Sequence, residues 1–266
     1  MTPVTPVMLT IAGSDPSGGA GIQADLKTAS ALGIYGATVI TALTAQNTLG
    51  VTGIHAVPAG FIVDQYVAVV EDLDVRAVKI GMLGTVEVVE AVASVLRSHP
   101  VPAVVLDPVM VATSGDRLVP EDAIAAIREL LLPLATVVTP NVPEAEVLAG
   151  VRIGAQDDLE VAGRALLELG PAWALVKGGH LDGARSTDVL VSADGATHLD
   201  APRVRTTHTH GTGCTLSSAI ASYLVRGEDV PDAVSSAKAY LTRALVAGAS
   251  LRIGHGNGPV DHRVAG

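Results

Sequence analysis

Short apolar runs of strand length alternate with longer segments of helical period along most of the chain. This is the order expected of right-handed βαβ units built around a mostly parallel sheet. The first run, Val7 to Gly13, leads through Ser14-Asp15-Pro16-Ser17-Gly18-Gly19 into a helix expected from about Gly21 to Leu32. Further strands are expected at Gly36 to Leu43, Gly50 to Val57, Ala77 to Gly81, Ala103 to Asp107, Thr136 to Thr139 and Ala174 to Lys177. Helices fall between them at Phe61 to Leu73, Val86 to Arg97, Glu121 to Leu131 and Leu159 to Leu169. Phe61, Val63, Tyr66, Val67 and Val70 are expected near the inner stripe of the first of these. Helical spacing likewise joins Ile124, Ile127 and Leu131, and Leu159, Leu166 and Leu169. After Lys177 the rhythm changes: Asp188 to Val191 and Thr197 to Leu199 flank Ser192-Ala193-Asp194-Gly195-Ala196 and read as a hairpin. Helices at Thr212 to Arg226 and Pro231 to Ser250 close the pattern. No linker, internal repeat or low-complexity segment divides it, so one α/β domain over residues 1–266 is expected.

Hydrophobic residues make up 48% of the chain and charged residues 17%, enough apolar material for a full core. Aromatics are only 2% and the formal net charge is -10, a combination that lacks both stacking platforms and attraction for a phosphate backbone. No nucleic-acid partner is expected. Small phosphates remain open, because backbone N–H groups and one or two cations suffice to hold them. The single cysteine, Cys214, excludes an intramolecular disulfide and a cysteine-based zinc site. The first residues carry no positive charge before their short apolar run, which is unlike a signal peptide, and no stretch of about 18 apolar residues suggests a membrane span. A cytoplasmic protein with no membrane partner is expected.

The strongest chemical signal is His210-Gly211-Thr212-Gly213-Cys214-Thr215, directly before the apolar helix. Glycines there can turn successive N–H groups toward one point, and the helix adds the positive end of its dipole, which together make an anion hole. A thiol at such a helix start is expected to have a lowered pKa. The structural alternative is an ordinary N-cap at Thr212 and an inert Cys214. The first loop holds four glycines in nine residues, Gly13 to Gly21, at what should be the ligand edge of the sheet. It loosely fits a dinucleotide pattern, but Ala42-Leu43-Thr44-Ala45-Gln46 offers no carboxylate for a ribose, which argues against a nicotinamide-dependent oxidoreductase. No Gly-Lys pair is present, so there is no P-loop. Asn141-Val142-Pro143-Glu144 reads either as a helix capping box or as a carboxylate placed for Mg²⁺, and Asp107 ends another strand in a comparable position. Lys177, one of four lysines, is either a snorkelling strand-end residue or a phosphate ligand. His208 and His210 read as loop residues and not as a metal site.

These segments, taken in order, resemble the hydroxymethylpyrimidine and phosphomethylpyrimidine kinases of thiamine biosynthesis, within the ribokinase-like superfamily. The resemblance runs from about Val7 to Ser250. It rests on the loop Ala12 to Asp25, Thr41-Ala42-Leu43-Thr44-Ala45-Gln46-Asn47-Thr48, Val78-Lys79-Ile80-Gly81-Met82-Leu83, Leu106-Asp107-Pro108-Val109-Met110, Thr139-Pro140-Asn141 with Glu144, Val176-Lys177-Gly178-Gly179-His180 and Gly211-Thr212-Gly213-Cys214. It implies a three-layer α/β/α ribokinase-like fold with a mostly parallel central sheet. It further implies Mg-ATP as phosphoryl donor and 4-amino-5-hydroxymethyl-2-methylpyrimidine as acceptor, phosphorylated first to the monophosphate and then to the diphosphate. By position, Gln46 would hydrogen-bond the pyrimidine, with Gly13, Ala20, Met82 and Val109 lining its pocket and Asp25 on the same side. Asp107 and Glu144 would serve Mg²⁺, while Asn141, Lys177 and Thr212 would hold ATP. Gly211 and Gly213 would cradle the transferring phosphoryl group, and Cys214 would accept the hydroxyl proton. Relatives commonly carry an aspartate where this chain has Cys214, which turns the resemblance away from sugar kinases. A homodimer is implied by the same family. Pyridoxal kinase, alone or as a dual activity, is the nearest rival function, and a non-catalytic pyrimidine-binding regulator is a further one.

Overall fold

The computed structural model describes residues 4–110 and 118–264. Among the described residues nine strands form a single mixed sheet: β1 (Val7–Ser14), β2 (Tyr35–Asn47), β3 (Gly50–Ala56), β4 (Val75–Ile80), β5 (Ala103–Leu106), β6 (Val137–Val138), β7 (Trp173–Val176), β8 (Arg185–Ser192) and β9 (Gly195–Pro202). Their order across the sheet is β3-β2-β1-β4-β5-β6-β7-β8-β9. From β2 through β7 neighbouring strands are parallel, whereas β3 at one edge and β8 and β9 at the other pair antiparallel. The short hairpins at both edges follow from loops too brief to carry a crossover helix.

Eight α-helices accompany the strands among the described residues: α1 (Gly21–Ala31), α2 (Ala59–Val70), α3 (Val86–Ser98), α4 (Glu121–Ala126), α5 (Val142–Ala149), α6 (Asp158–Leu167), α7 (Thr212–Val225) and α8 (Val230–Gly248). Because side chains alternate along a strand, β1 sends Val7, Leu9 and Ile11 into one apolar cluster and Met8 into another. The first cluster collects residues of α2 to α6, such as Ile62, Val89, Ala123, Leu148 and Leu166. The second collects Ala29 and Leu32 beside Leu216, Ile220 and Tyr240 from α7 and α8. Burial on both faces explains why the parallel strands read as unbroken apolar runs.

Most differences from the sequence expectation lie at element ends. β2 runs four residues past Leu43 because β3 pairs with its extension, and β6 shrinks to Val137–Val138. Of the stripe expected on α2, Tyr66 is buried and Val63 and Val70 pack against the core, but Phe61 is exposed and Ile62 takes its place. The helix starts at Ala59, two residues early, and the buried Tyr66 donates its hydroxyl to the His99 carbonyl at 2.8 Å. The segment Glu121 to Leu131 begins as α4 and passes into a π-helical turn at Ile127–Leu131. Helix α5 had no hydrophobic period long enough to announce it; only its capping box did. No described helix is long and apolar enough to cross a membrane.

Candidate active site

The carboxyl ends of the parallel strands open onto one cleft of about 1190 Å³. This is the edge at which open α/β sheets bind ligands, because helix N-termini and strand-end loops converge there. Gly13, Ala20, Gln46, Met82 and Val109 line it together with Asp107, Asn141, Glu144, Lys177, Gly211, Thr212, Gly213 and Cys214. Of the expected site residues, only Asp25 is not brought to it. Asp25 is fully buried, and both its oxygens are committed: Thr10 Oγ1 donates to Oδ2 at 2.6 Å, Ser218 Oγ to Oδ1 at 2.6 Å, and Lys79 Nζ to both at 2.9 and 3.0 Å. It lies one helical turn beyond Gly21 on α1, on the face that meets α7, so it has no oxygen left for a substrate in the cleft.

The loop before α7 has the geometry of an anion cradle. Gly211 is its N-cap and sits in the left-handed region at φ 76°, where a Cβ would stand 1.8 Å from the Gly19 carbonyl oxygen. Only glycine lets these two loops meet so closely. Thr212 does not cap the helix; its hydroxyl donates to the Thr209 carbonyl at 2.6 Å. Gly213 faces the opposite wall, since a Cβ there would lie 3.3 Å from Asp107 Oδ2 and 3.3 Å from Lys177 Nζ. The first turn of α7 therefore opens directly onto an ammonium and a carboxylate.

That wall is built from the ends of β5, β6 and β7. Lys177 Nζ donates to Asp107 Oδ1 at 3.1 Å, and Thr139 Oγ1 donates to the same oxygen at 3.3 Å. Asn141 and Glu144 do form a capping box, with the Glu144 N–H donating to Asn141 Oδ1 at 3.0 Å and the Asn141 N–H to Glu144 Oε2 at 2.8 Å. The box is present, and it leaves Glu144 buried in the cleft wall. Burial pushes Glu144 up to about 7; Lys177 pulls it down and the charge on Asp107 adds to the rise. Lys177 is raised from its ordinary value, because Asp107 and Glu144 outweigh the burial that works against its charge.

Cys214 corrects the expectation most directly. Although it stands in the first turn of α7, burial pushes its thiol up to about 11; nearby Lys79 works downward, while Asp25 and Asp107 add to the rise. The helix N-terminus does not compensate for losing water on a half-buried sulfur, so near neutral pH Cys214 is a thiol.

Two elements escaped sequence reasoning. His210 Nε2 pairs with Asp15 Oδ2 at 2.8 Å in a buried contact, where a plain loop residue was expected. Burial alone would raise Asp15, but His210, the Ser17 hydroxyl and the N–H groups of Ala20 and Ser17 hold it down at about 2. The pair ties the first glycine loop to the anion loop across most of the sequence length. The second element is Lys79, fully buried on Asp25. An ionisable residue inside an apolar strand was the available signal for Lys79; for His210, 195 residues from its partner, there was none.

A mostly parallel sheet with its cleft at the carboxyl edge, an N–H-rich helix start and an ammonium between two carboxylates together fit a small-molecule kinase. The family model described as phosphomethylpyrimidine kinase matches residues 15–261, and the chain belongs to that family. It is 54% identical over 261 residues to the hydroxymethylpyrimidine/phosphomethylpyrimidine kinase of Rhizobium meliloti (strain 1021), covering 97% of each chain. Its structure is similar to the crystal structure of phosphomethylpyrimidine kinase from Clostridium difficile 630, with a TM-score of 0.81, 44% identity and coverage of 91% of this chain and 99% of that one. It is also similar to pyridoxal kinase from Staphylococcus aureus in complex with AMP-PCP and pyridoxal, with a TM-score of 0.88, 34% identity and coverage of 98% and 94%.

Proposed function

We propose that this chain transfers the γ-phosphoryl group of ATP to 4-amino-5-hydroxymethyl-2-methylpyrimidine and then to the resulting monophosphate. The observation that carries the reading is the confrontation of Gly213 with Asp107 and Lys177 across the cleft. Phosphoryl transfer needs little covalent chemistry from a protein, so positioning and charge stabilisation dominate, and this arrangement supplies both. N–H groups of Gly211, Gly213 and Cys214 cradle the equatorial oxygens, the Thr212 N–H being bonded to the Thr209 carbonyl, while Lys177 and Asn141 hold the donor phosphates. The substrate hydroxyl oxygen bonds to the γ-phosphorus as the bond to the bridging oxygen breaks, and ADP leaves. Cys214 first gives up its own proton to solvent, and its thiolate then accepts the hydroxyl proton. In the second transfer a phosphate oxygen attacks, already anionic near neutral pH, so Cys214 matters less.

Gln46 serves the pyrimidine edge, with Met82 and Val109 against the ring. By strand order the cleft continues from this side toward β8 and β9, where Val204, Leu241 and Leu245 line it and suit a nucleotide base. Asp107 and Glu144 are an oxygen-only donor pair suited to Mg²⁺, which takes one or two carboxylates together with substrate phosphates. The fit is supported by Glu144, whose ionisation is resisted by burial and by Asp107 and would be eased by a divalent cation. No group of three such ligands occurs among the described residues, so phosphate oxygens and water would complete the shell. When bound, the ion neutralises charge on the donor phosphates.

The reading includes the three-layer form of the fold, supported by apolar clusters on both faces of the sheet. A single domain is supported by the continuity of that sheet. A homodimer is supported by the exposed Leu43, Leu49 and Ile54 along the β2–β3 edge, and a cytoplasmic setting by the small-molecule reaction itself. The direct test is ADP release with the pyrimidine alcohol as acceptor, in the wild type and in Lys177→Ala. Turnover should fall with both acceptors in the variant. Absence of turnover in the wild type would overturn the reading, and turnover confined to pyridoxal would replace it with the pyridoxal kinase one.

A further inference from the structure

A polar knot lies one layer beneath Cys214, inside what would otherwise be an apolar core. Thr10 on β1 and Lys79 on β4 are register partners on the face of the sheet that meets α1 and α7. Between them Asp25 accepts from Thr10, Lys79 and Ser218, all fully buried. Helical spacing turns this knot toward the site. Gly21 and Asp25 stand four residues apart on α1, as do Cys214 and Ser218 on α7, so each pair shares one helix face. The upper pair, Gly21 and Cys214, lines the cleft, and directly beneath it Ser218 donates to Asp25 at 2.6 Å.

We propose that Lys79 and Asp25 are a positioning pair for Cys214: they lock the α1–α7 register beneath the thiol and set its affinity for the transferred proton. The inference deepens the proposed role of Cys214 and rests on it. Burying a lysine and an aspartate is costly, and a well-packed apolar pair would serve stability at least as well. A charged pair in this place has one distinctive effect, a field on the neighbouring sulfur. The ionisable groups facing Cys214 are Lys79 from β4, Asp25 from α1, Asp107 after β5 and, across the cleft, Lys177 after β7. Of these, Lys79 is the cation the protein places behind the sulfur, on the side away from the cleft. Asp25 tempers that cation. The thiolate that has to stand ready before the hydroxyl proton arrives is thus met by a fixed positive charge that needs no reorganisation.

Because Cys214 is the chain's one cysteine, alkylation by iodoacetamide reads its ionisation without activity and without interference. Lys79→Met should slow alkylation at fixed pH by roughly tenfold or more, the equivalent of one pKa unit. Asp25→Asn should speed it, since Lys79 is then left with Cys214 and Asp107 as anionic partners. The double variant, Lys79→Met with Asp25→Asn, removes both charges while keeping the shape, and should return toward the wild-type rate. A merely structural role would move both single variants in the same direction, as a loosened core exposes the sulfur. That result, or unchanged rates in both, would overturn the proposal. If Lys79→Met does not fold, Asp25→Asn and the double variant decide the same question, because acceleration in the first and its loss in the second are both required. Failure of the base role is read separately, as unchanged alcohol turnover in Cys214→Ala.

Discussion

Glu144→Gln should make the unliganded protein more stable at alkaline pH and less active. The carboxyl of Glu144 is raised on folding from 4.5 to about 7. Between those values the folded state binds more protons than the unfolded one, so the group's contribution to stability falls as pH rises through the window and levels off above about 7. With 1.36 kcal/mol per pKa unit, the loss between pH 5 and pH 8 comes to about 2.5 kcal/mol. Glutamine mimics the protonated form and keeps an acceptor for the Asn141 N–H, so the capping box survives. Urea unfolding of both proteins at the two pH values gives the difference directly, since other titrating groups cancel between them. The variant should gain about 2.5 kcal/mol relative to wild type on going from pH 5 to pH 8, and adding Mg-ATP should narrow the gap by stabilising the wild type more. A difference that is the same at both pH values would refute the assignment of the strained charge to Glu144.

Gln46→Ala should weaken pyrimidine binding by about 1 to 3 kcal/mol while leaving ATP affinity nearly unchanged, as read by titration calorimetry. Cys214→Ala should cost roughly 10² to 10⁴ in kcat with the alcohol and clearly less with the phosphate acceptor; equal small losses would remove the base role. In the wild type, the alkylation rate of Cys214 and its turnover with the alcohol should both climb about tenfold per pH unit above neutrality, because the thiolate population grows until about 11. A plateau near pH 8 would show a thiol of ordinary or lowered pKa. Gly211→Ala should abolish turnover with both acceptors, since its Cβ would collide with the Gly19 carbonyl and the residue would keep a left-handed backbone. Parallel measurement of melting separates that loss from global unfolding.

What the sequence determined by itself was the periodic skeleton and the chemistry-bearing motifs. Apolar runs marked the parallel strands because both faces of those strands are buried, and glycine clusters marked the two loops because only glycine tolerates their approach. Asp107, Glu144, Lys177 and Cys214 were legible as unusual residue types at element ends. The tertiary structure decided what surrounds them. Asp25 looked like part of a substrate loop, but the packing of α1 against α7 turned it inward onto Lys79. Cys214 looked activated by its helix, yet desolvation, which depends on every element packed around the sulfur, reversed the sign. Phe61 looked like the first inward residue of α2, but packing turned Ile62 to the core in its place, while Tyr66 is buried as its spacing implied. The His210–Asp15 contact joins loops at opposite ends of the chain, and no local pattern encodes a pairing that exists only once the sheet brings both loops to one edge.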